Sequence, residues 1–382
     1  MAIETRQRIS IEERLKTVTE VAAEHAAQVD KKAEFPEAAV AALRKSGLLG
    51  LTLPEAVGGL GAGPVEFSEV VAAISAACGS TGMIYLMHVS TSMLVAAAPP
   101  PGMPDVLRRL ADGTNLATLA FSERGSRSHF WAPVSEEVAW QNGVRIKAQK
   151  SWVTSAGHAD VIAISTLSAT GKGPTDSNLY LIPGKTEGLT IAGPWEGMGL
   201  RGNASSPMTL DLNVETGRRL GKDGEGFRLM MEVVLPWFNL GNASVSIGLA
   251  DGALQAAVRH CSGSRFEHTG ESLAQLPTIR ARLARMRISL DGQKAYLRQA
   301  AESIAAAGDT TMLQVLGVKA SANDAALTIT EDAMRVCGGA AFSQHLAIDR
   351  FFRDARAGSV MAPTADVLYD FYGKAITGQP LF

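Results

Sequence analysis

Lys150-Ser-Trp-Val-Thr-Ser155, read with Ser122-Glu-Arg-Gly-Ser126 upstream, decides how this chain is interpreted. The first stretch reads as a short strand carrying an indole at Trp152 and a hydroxyl at Thr154. Two residues apart on a strand, they are expected on one side of it. The second is a glycine-bearing turn rich in hydroxyls (Ser122, Ser126, Ser128). An aromatic face beside a hydroxyl suits a flat heteroaromatic ring with polar edge atoms, and a Gly/Ser turn offers N–H and hydroxyl donors to a phosphate. Together they point to a flavin nucleotide site. The alternative at this stage is a β-hairpin whose Trp152 fills a core.

Around this stretch the composition changes twice, giving an α+β chain that is mainly α. Residues 1–113 read as an N-terminal helical domain. Arg14 to Val29 is Ala-rich with helical spacing, Pro36 stands at the first position of a helix to Ser46, and Leu48 to Pro54 is an extended link. Residues 114–223 read as a central antiparallel β-domain with the flavin-binding elements, its strands including Val144–Ala148, Val161–Ser165, Asn178–Pro183 and Met208–Leu212. Residues 224–382 read as a C-terminal four-helix bundle that also supplies an oligomer interface. Phe227 to Cys261 is nearly continuous, with a break expected at Pro236. No Gly-x-Gly-x-x-Gly follows a strand, which argues against a dinucleotide-binding parallel sheet.

The chain has 382 residues, 46% hydrophobic and 19% charged, with a formal net charge of −2. That is enough chain for a large core, and too little charge to suggest a nucleic-acid or membrane partner. Three cysteines (Cys78, Cys261, Cys337) are far apart and form neither a disulfide framework nor a metal spacing. No secretory h-region stands near Met1, so a reducing cytoplasm is expected.

The order of helices, β-domain and long-helix bundle, with Phe121-Ser-Glu-Arg-Gly-Ser126, Trp152-Val-Thr154, Met198-Gly-Leu-Arg201, Gly224-Glu-Gly-Phe227, Cys337-Gly-Gly339 and Arg353-Asp354, resembles the acyl-CoA dehydrogenase superfamily over nearly the whole chain. The resemblance implies bound FAD. Trp152 would stack on the flavin and Thr154 would hydrogen-bond its reactive edge. Phe121 and Ser122 would line the pyrimidine end, and Ser128 would contact the pyrophosphate. Arg265, Gly338 and Gly339 would reach the FAD of a neighbouring subunit, and Thr364 would lie near the adenosine. It further implies a homotetramer or homodimer, a small-molecule substrate such as a CoA thioester, and O₂ or an electron-transfer flavoprotein as acceptor.

Two departures matter more than the matches. Usual members place a Glu eight residues after the Asp of the Arg-Asp pair, where it removes the α-proton; here that position is Ala362, followed by Pro363. Some members take the base from the first long bundle helix, where the corresponding residue here is Phe238. A positioned base contributes about 10²- to 10⁴-fold in rate, so ordinary α,β-desaturation is expected to be weak unless another group substitutes. Candidates are Asp366, one helical turn past Ala362; Glu232, otherwise a solvated side chain; and His88, in an apolar helix that lines the substrate cavity in the family. His88 would be a proton donor or substrate contact, or else a core histidine with a structural hydrogen bond. His129 stands where an Asp is common in the family; with Trp131 it would shape the substrate mouth, or anchor a surface loop. Three functions remain open: an oxidase or monooxygenase acting on an acyl-CoA or cyclic substrate, a dehydrogenase with a relocated base, and a non-catalytic ligand-binding paralogue.

Overall fold

The first helix begins at Ser10, whose hydroxyl accepts from the Glu13 amide while the Glu13 carboxylate accepts from the Ser10 amide. In this computed structural model residues 10–127, 129–173 and 175–381 are described. Helix α1 (Ile11–Lys32) buries Val18, Ala22, Ala26 and Val29 along one face. Helix α2 (Glu37–Ser46) has Pro36 at its N-cap and ends at Gly47, whose φ of 77° supplies the left-handed cap. The link after it is not extended as expected. Leu48–Gly50 forms a 3₁₀ turn, and the segment folds on itself through Leu60 N–H to Gly50 O and Ala62 N–H to Leu51 O. Helices α3 (Pro64–Ala77) and α4 (Gly79–Ala97) follow, then the short α5 (Val106–Ala111). Buried residues run all round α4, from Met83, Ile84, Tyr85 and Leu86 to Val89 and Leu94, which places it inside the molecule.

The β-domain consists of two four-stranded sheets. One has the order β1 (Ala117–Ala120), β4 (Val161–Leu167), β5 (Ser177–Pro183), β8 (Arg219–Leu220). The other has β2 (Glu137–Trp140), β3 (Gly143–Val153), β7 (Ser206–Glu215), β6 (Leu189–Ile191). The pairings are antiparallel apart from β1 on β4, which is parallel because the long 121–160 excursion, containing β2 and β3, intervenes between them. Alternation explains the sandwich. Ile146, Ala148, Leu210 and Leu212 point inward and meet Ile162, Ile164 and Ile182, while Ala163, Leu179 and Leu181 turn the opposite way into the helical core. Strand β4 is therefore covered on both faces; its first four residues, Val161–Ile164, are apolar in succession, and Ser165 and Thr166 after them are buried too.

The C-terminal region contains α6 (Gly226–Leu229), a π turn over Met230–Val234, α7 (Leu235–Gly263), α8 (Pro277–Ala305), α9 (Thr311–Cys337), the single turn α10 (Gly339–Phe342), α11 (Ile348–Val360) and α12 (Ala365–Ile376). The break expected at Pro236 does not occur. The widened π turn ahead of it leaves the proline in the first turn of α7, where its missing N–H is tolerated. Gly226–Gly263 is long and apolar enough to cross a membrane by length and composition, but 83% of its apolar window is buried inside the fold. It is the central core helix, packed on α3, α4, α8, α9 and α11.

Candidate active site

A β-bulge creates the most distinctive wall of the site. Lys150 pairs with Met208 and Val153 with Ser206, so Ser151 and Trp152 together oppose the single residue Pro207. Trp152 takes φ 58° and its indole is 64% exposed. The bulge also breaks the strand period, so the expectation that Trp152 and Thr154 share a side is corrected. Thr154 is fully buried, its hydroxyl 3.0 Å from Ser205 Oγ and its carbonyl accepting from Thr118 Oγ1 at 2.7 Å. Ser205, its hydroxyl partner, lines the cavity instead.

Beneath the bulge lies a buried ion pair. Lys150 points into the sandwich, its Nζ 2.5 Å from Glu123 Oε1 and 2.5 Å from the Ser165 carbonyl. Glu123 also accepts from the amides of Val134 (2.6 Å) and Ser135 (2.8 Å) and from the Ser135 hydroxyl. Burial alone would raise the Glu123 carboxyl; Lys150 and these donors outweigh it and hold it below the ordinary carboxylate value. Burial pushes the Lys150 ammonium down, with Glu123 opposing. The pair ties the Ser122–Ser126 turn to β3, reinforced by Ser151 N–H to Ser122 O at 2.8 Å.

Between this wall and the bundle is a cavity of about 890 Å³, at the upper end of the range for small-molecule sites. Phe121, Ser122, Trp152, Phe238 and Ala362 all line it, so the structure brings together these residues from all along the chain. The far wall is the end of α11. There Arg353 is engaged by Asp30 (2.5 and 2.8 Å) and Asp349 (2.9 Å). Arg356 stacks on Phe352 at 3.7 Å and donates to Thr330 Oγ1 at 3.1 Å. Next to Arg353, Asp354 is buried, accepts from Leu200 N–H at 2.6 Å and is pushed up to about 7, chiefly by burial. It fastens the 195–203 loop to α11.

Other expected residues lie elsewhere. His88 is fully buried; its Nε2 is 3.0 Å from Leu49 O and its Nδ1 accepts the Ala117 N–H at 3.0 Å, so it is a strut between α4, the Leu48–Gly50 turn and β1 rather than a catalytic or substrate group. Burial lowers it to about 4, so it stays neutral. Asp366 is exposed in the first turn of α12, and Glu232 is exposed and paired with Arg228 at 2.9 Å; neither lines the cavity. Trp131 is buried against Phe130 and Phe371 with exposed His129 edge-on to it, so the neighbouring Phe130 meets the cavity in their place. Thr364 is the N-cap of α12, off the cavity wall. Arg265, Gly338 and Gly339 are exposed where α7 and α9 end together, marked by Cys261 Sγ lying 3.7 Å from Val336 O. Ser128 lies outside the described residues.

Sequence reasoning missed Trp195, Asn203, Ser205 and Arg356 on the cavity wall. Trp195 packs edge-on to Trp152 (5.9 Å, 76°), its indole N–H donating to Leu200 O at 3.0 Å. A tryptophan inside Gly193-Pro-Trp-Glu-Gly197 was the available clue. Among the described residues, Glu123 is the one carboxylate on the cavity wall, and it is fully committed.

Comparison with known proteins matches the N-terminal, middle and C-terminal domain profiles of acyl-CoA dehydrogenases to residues 6–114, 118–212 and 224–377. Cyclohex-1-ene-1-carbonyl-CoA dehydrogenase of Geobacter metallireducens is 26% identical over 97% of each chain. Butyryl-CoA dehydrogenase from Megasphaera elsdenii superposes with a TM-score of 0.89 at 19% identity, covering 97% of this chain and 99% of that one. FMN-bound TdsC from Paenibacillus sp. A11-2 superposes with a TM-score of 0.85 at 22% identity, covering 96% and 97%. With three consecutive domain matches and the fold in agreement, the chain belongs to the acyl-CoA dehydrogenase superfamily.

Proposed function

We propose that the chain is an FAD-dependent oxidoreductase that uses its flavin with O₂, as an oxidase or monooxygenase, on an acyl-CoA or cyclic substrate. The observation that carries this reading is that the cavity has no free carboxylate among the described residues: Ala362 and Phe238, which the resemblance puts at the two family base positions, line it, and Glu123 is locked to Lys150. None of the expected substitutes, Asp366, Glu232 or His88, lines the cavity. Bound flavin supplies a hydride acceptor or, once reduced, electrons for O₂.

The residues present fit that cofactor. Trp152 offers an exposed indole face, Phe121 a second aromatic surface, and Ser122, Asn203 and Ser205 polar atoms for a ring edge. Arg124 and Arg127, in the turn around Gly125, suit phosphate oxygens. From Phe238 at the cavity to the end of α7 is roughly 40 Å at 1.5 Å per residue. Arg265, Gly338 and Gly339 therefore serve the adenosine half of a cofactor in a second subunit of a homo-oligomer. Thr364 would do so nearer the cavity, through its place at the start of α12.

The relatives' names favour a second reading, desaturation of an acyl-CoA with electrons passing to an electron-transfer flavoprotein. One experiment separates the two: anaerobic addition of an acyl-CoA panel to the purified flavoprotein, wild type and Ala362→Glu. On the monooxygenase reading the wild-type flavin stays oxidised, and Ala362→Glu gains reduction by about 10²- to 10⁴-fold. Rapid bleaching of the wild type by one thioester overturns the monooxygenase reading; reoxidation of that flavin by O₂ then marks an oxidase, and reoxidation by an electron-transfer flavoprotein but not by O₂ marks the dehydrogenase.

A further inference from the structure

Lys319, in the middle of α9, is fully buried and has no carboxylate partner among the described residues. Its ammonium lies 3.0 Å from Gly358 O, 3.1 Å from Met361 O and 2.8 Å from Pro363 O. An ammonium has three protons, and these three carbonyls, all from one six-residue segment, are its nearest acceptors, with Asn323 Oδ1 farther off at 3.3 Å. The segment is the C-terminal end of α11, where carbonyls lack helical partners and the helix dipole favours a cation. It also carries Val360, Met361 and Ala362, which line the cavity.

We propose that Lys319 is a positioning residue for the cavity: its three hydrogen bonds hold the 358–363 segment in place and so set where Met361 and Ala362 meet the ligand. This deepens the functional reading above and rests on it only for the identity of that ligand. The groups facing Lys319 are neutral: Asn242 and Ser246 on α7 join Asn323 of its own helix in one buried network. Tyr296 of α8 and Tyr372 of α12 approach at Gly317. On α11, Arg356 is turned to Thr330 and Asp354 to Leu200. No ionised group acts on the ammonium, and burial alone pushes it down to about 7. Near neutrality the clamp therefore loses one of its three donors as the ammonium becomes an amine.

The test is amide hydrogen exchange by mass spectrometry on the full-length protein between pH 6 and 8.5, corrected for intrinsic exchange. In the wild type, protection of peptides spanning 356–364 should fall across this range by roughly tenfold to a hundredfold, the loss of one hydrogen bond to a charged donor. Lys319→Met should show low protection there at every pH, and Lys319→Arg, which keeps its charge, should abolish the pH dependence. Wild-type protection of 356–364 in Lys319→Met overturns the proposal. Loosening of Lys319→Met spread evenly over the chain also overturns it, as a general folding defect. Because the readout needs neither flavin nor substrate, failure of the flavin assignment would leave this result standing.

Discussion

His88 offers the sharpest separation of structure from chemistry. Its Nδ1 accepts the Ala117 N–H and its Nε2 faces the Leu49 carbonyl, which requires the neutral ring with the proton on Nε2. Protonation would turn Nδ1 into a donor aimed at another donor. Burial accordingly lowers the group from 6.5 to about 4. A folded pKa below the unfolded one means that the unfolded chain binds the proton first, so stability is fully present above about pH 6.5 and drains away as pH falls through 4. The full shift corresponds to roughly 3 kcal/mol. At pH 4.5 most of it is already lost. His88→Gln keeps a donor and an acceptor but cannot titrate. It should cost about 1–2 kcal/mol at pH 7 through imperfect hydrogen bonds, and it should lack this part of the acid sensitivity. Urea unfolding of both proteins at pH 7 and 4.5 measures the double difference. Equal pH dependence in the two proteins refutes the strut. A turnover loss of more than about tenfold in a His88→Gln protein of wild-type stability would return His88 to the chemistry.

Two further outcomes follow from the wall around Trp152. Lys150→Met leaves the buried Glu123 carboxylate without its cation. It should cost about 3–5 kcal/mol, seen as a fall in urea midpoint; a loss below about 1 kcal/mol would mean that the pair adds little. Trp152→Ala removes a mostly exposed ring and should leave stability within about 0.5 kcal/mol while lowering the flavin-to-protein absorbance ratio after gel filtration. An unchanged ratio would remove Trp152 from the cofactor site.

The order of the domains was legible because each carries its own periodicity: helical spacing along α1, period two along β3 and β7, and the apolar run Val161–Ile164 in doubly covered β4. Three local features were not. The parallel β1–β4 pairing depends on where the chain returns after the 121–160 excursion, which no single strand's sequence records. The π turn before Pro236 reverses the usual reading of proline, because one extra residue per turn moves the ring out of conflict. The bulge at Ser151–Trp152 undoes the i, i+2 argument from which the site was first read, so the indole reaches the cavity while Thr154 is buried behind it.

The site was readable by subtraction. That Ala362 and Phe238 are not carboxylates concerns two numbered positions, and the cavity does collect both. Whether another acid stands in for them is a three-dimensional matter. Glu123 follows Ser122 and lines the cavity, so by position it is a candidate base that the sequence reading passed over. What disqualifies it is its set of partners: Lys150, 27 residues away, and Val134 and Ser135, 11 and 12 away. Those donors hold the carboxyl low, whereas a general base working near neutral pH needs its pKa raised toward 7. The same contacts that fasten the Trp152 wall therefore remove the cavity's last carboxylate from proton chemistry.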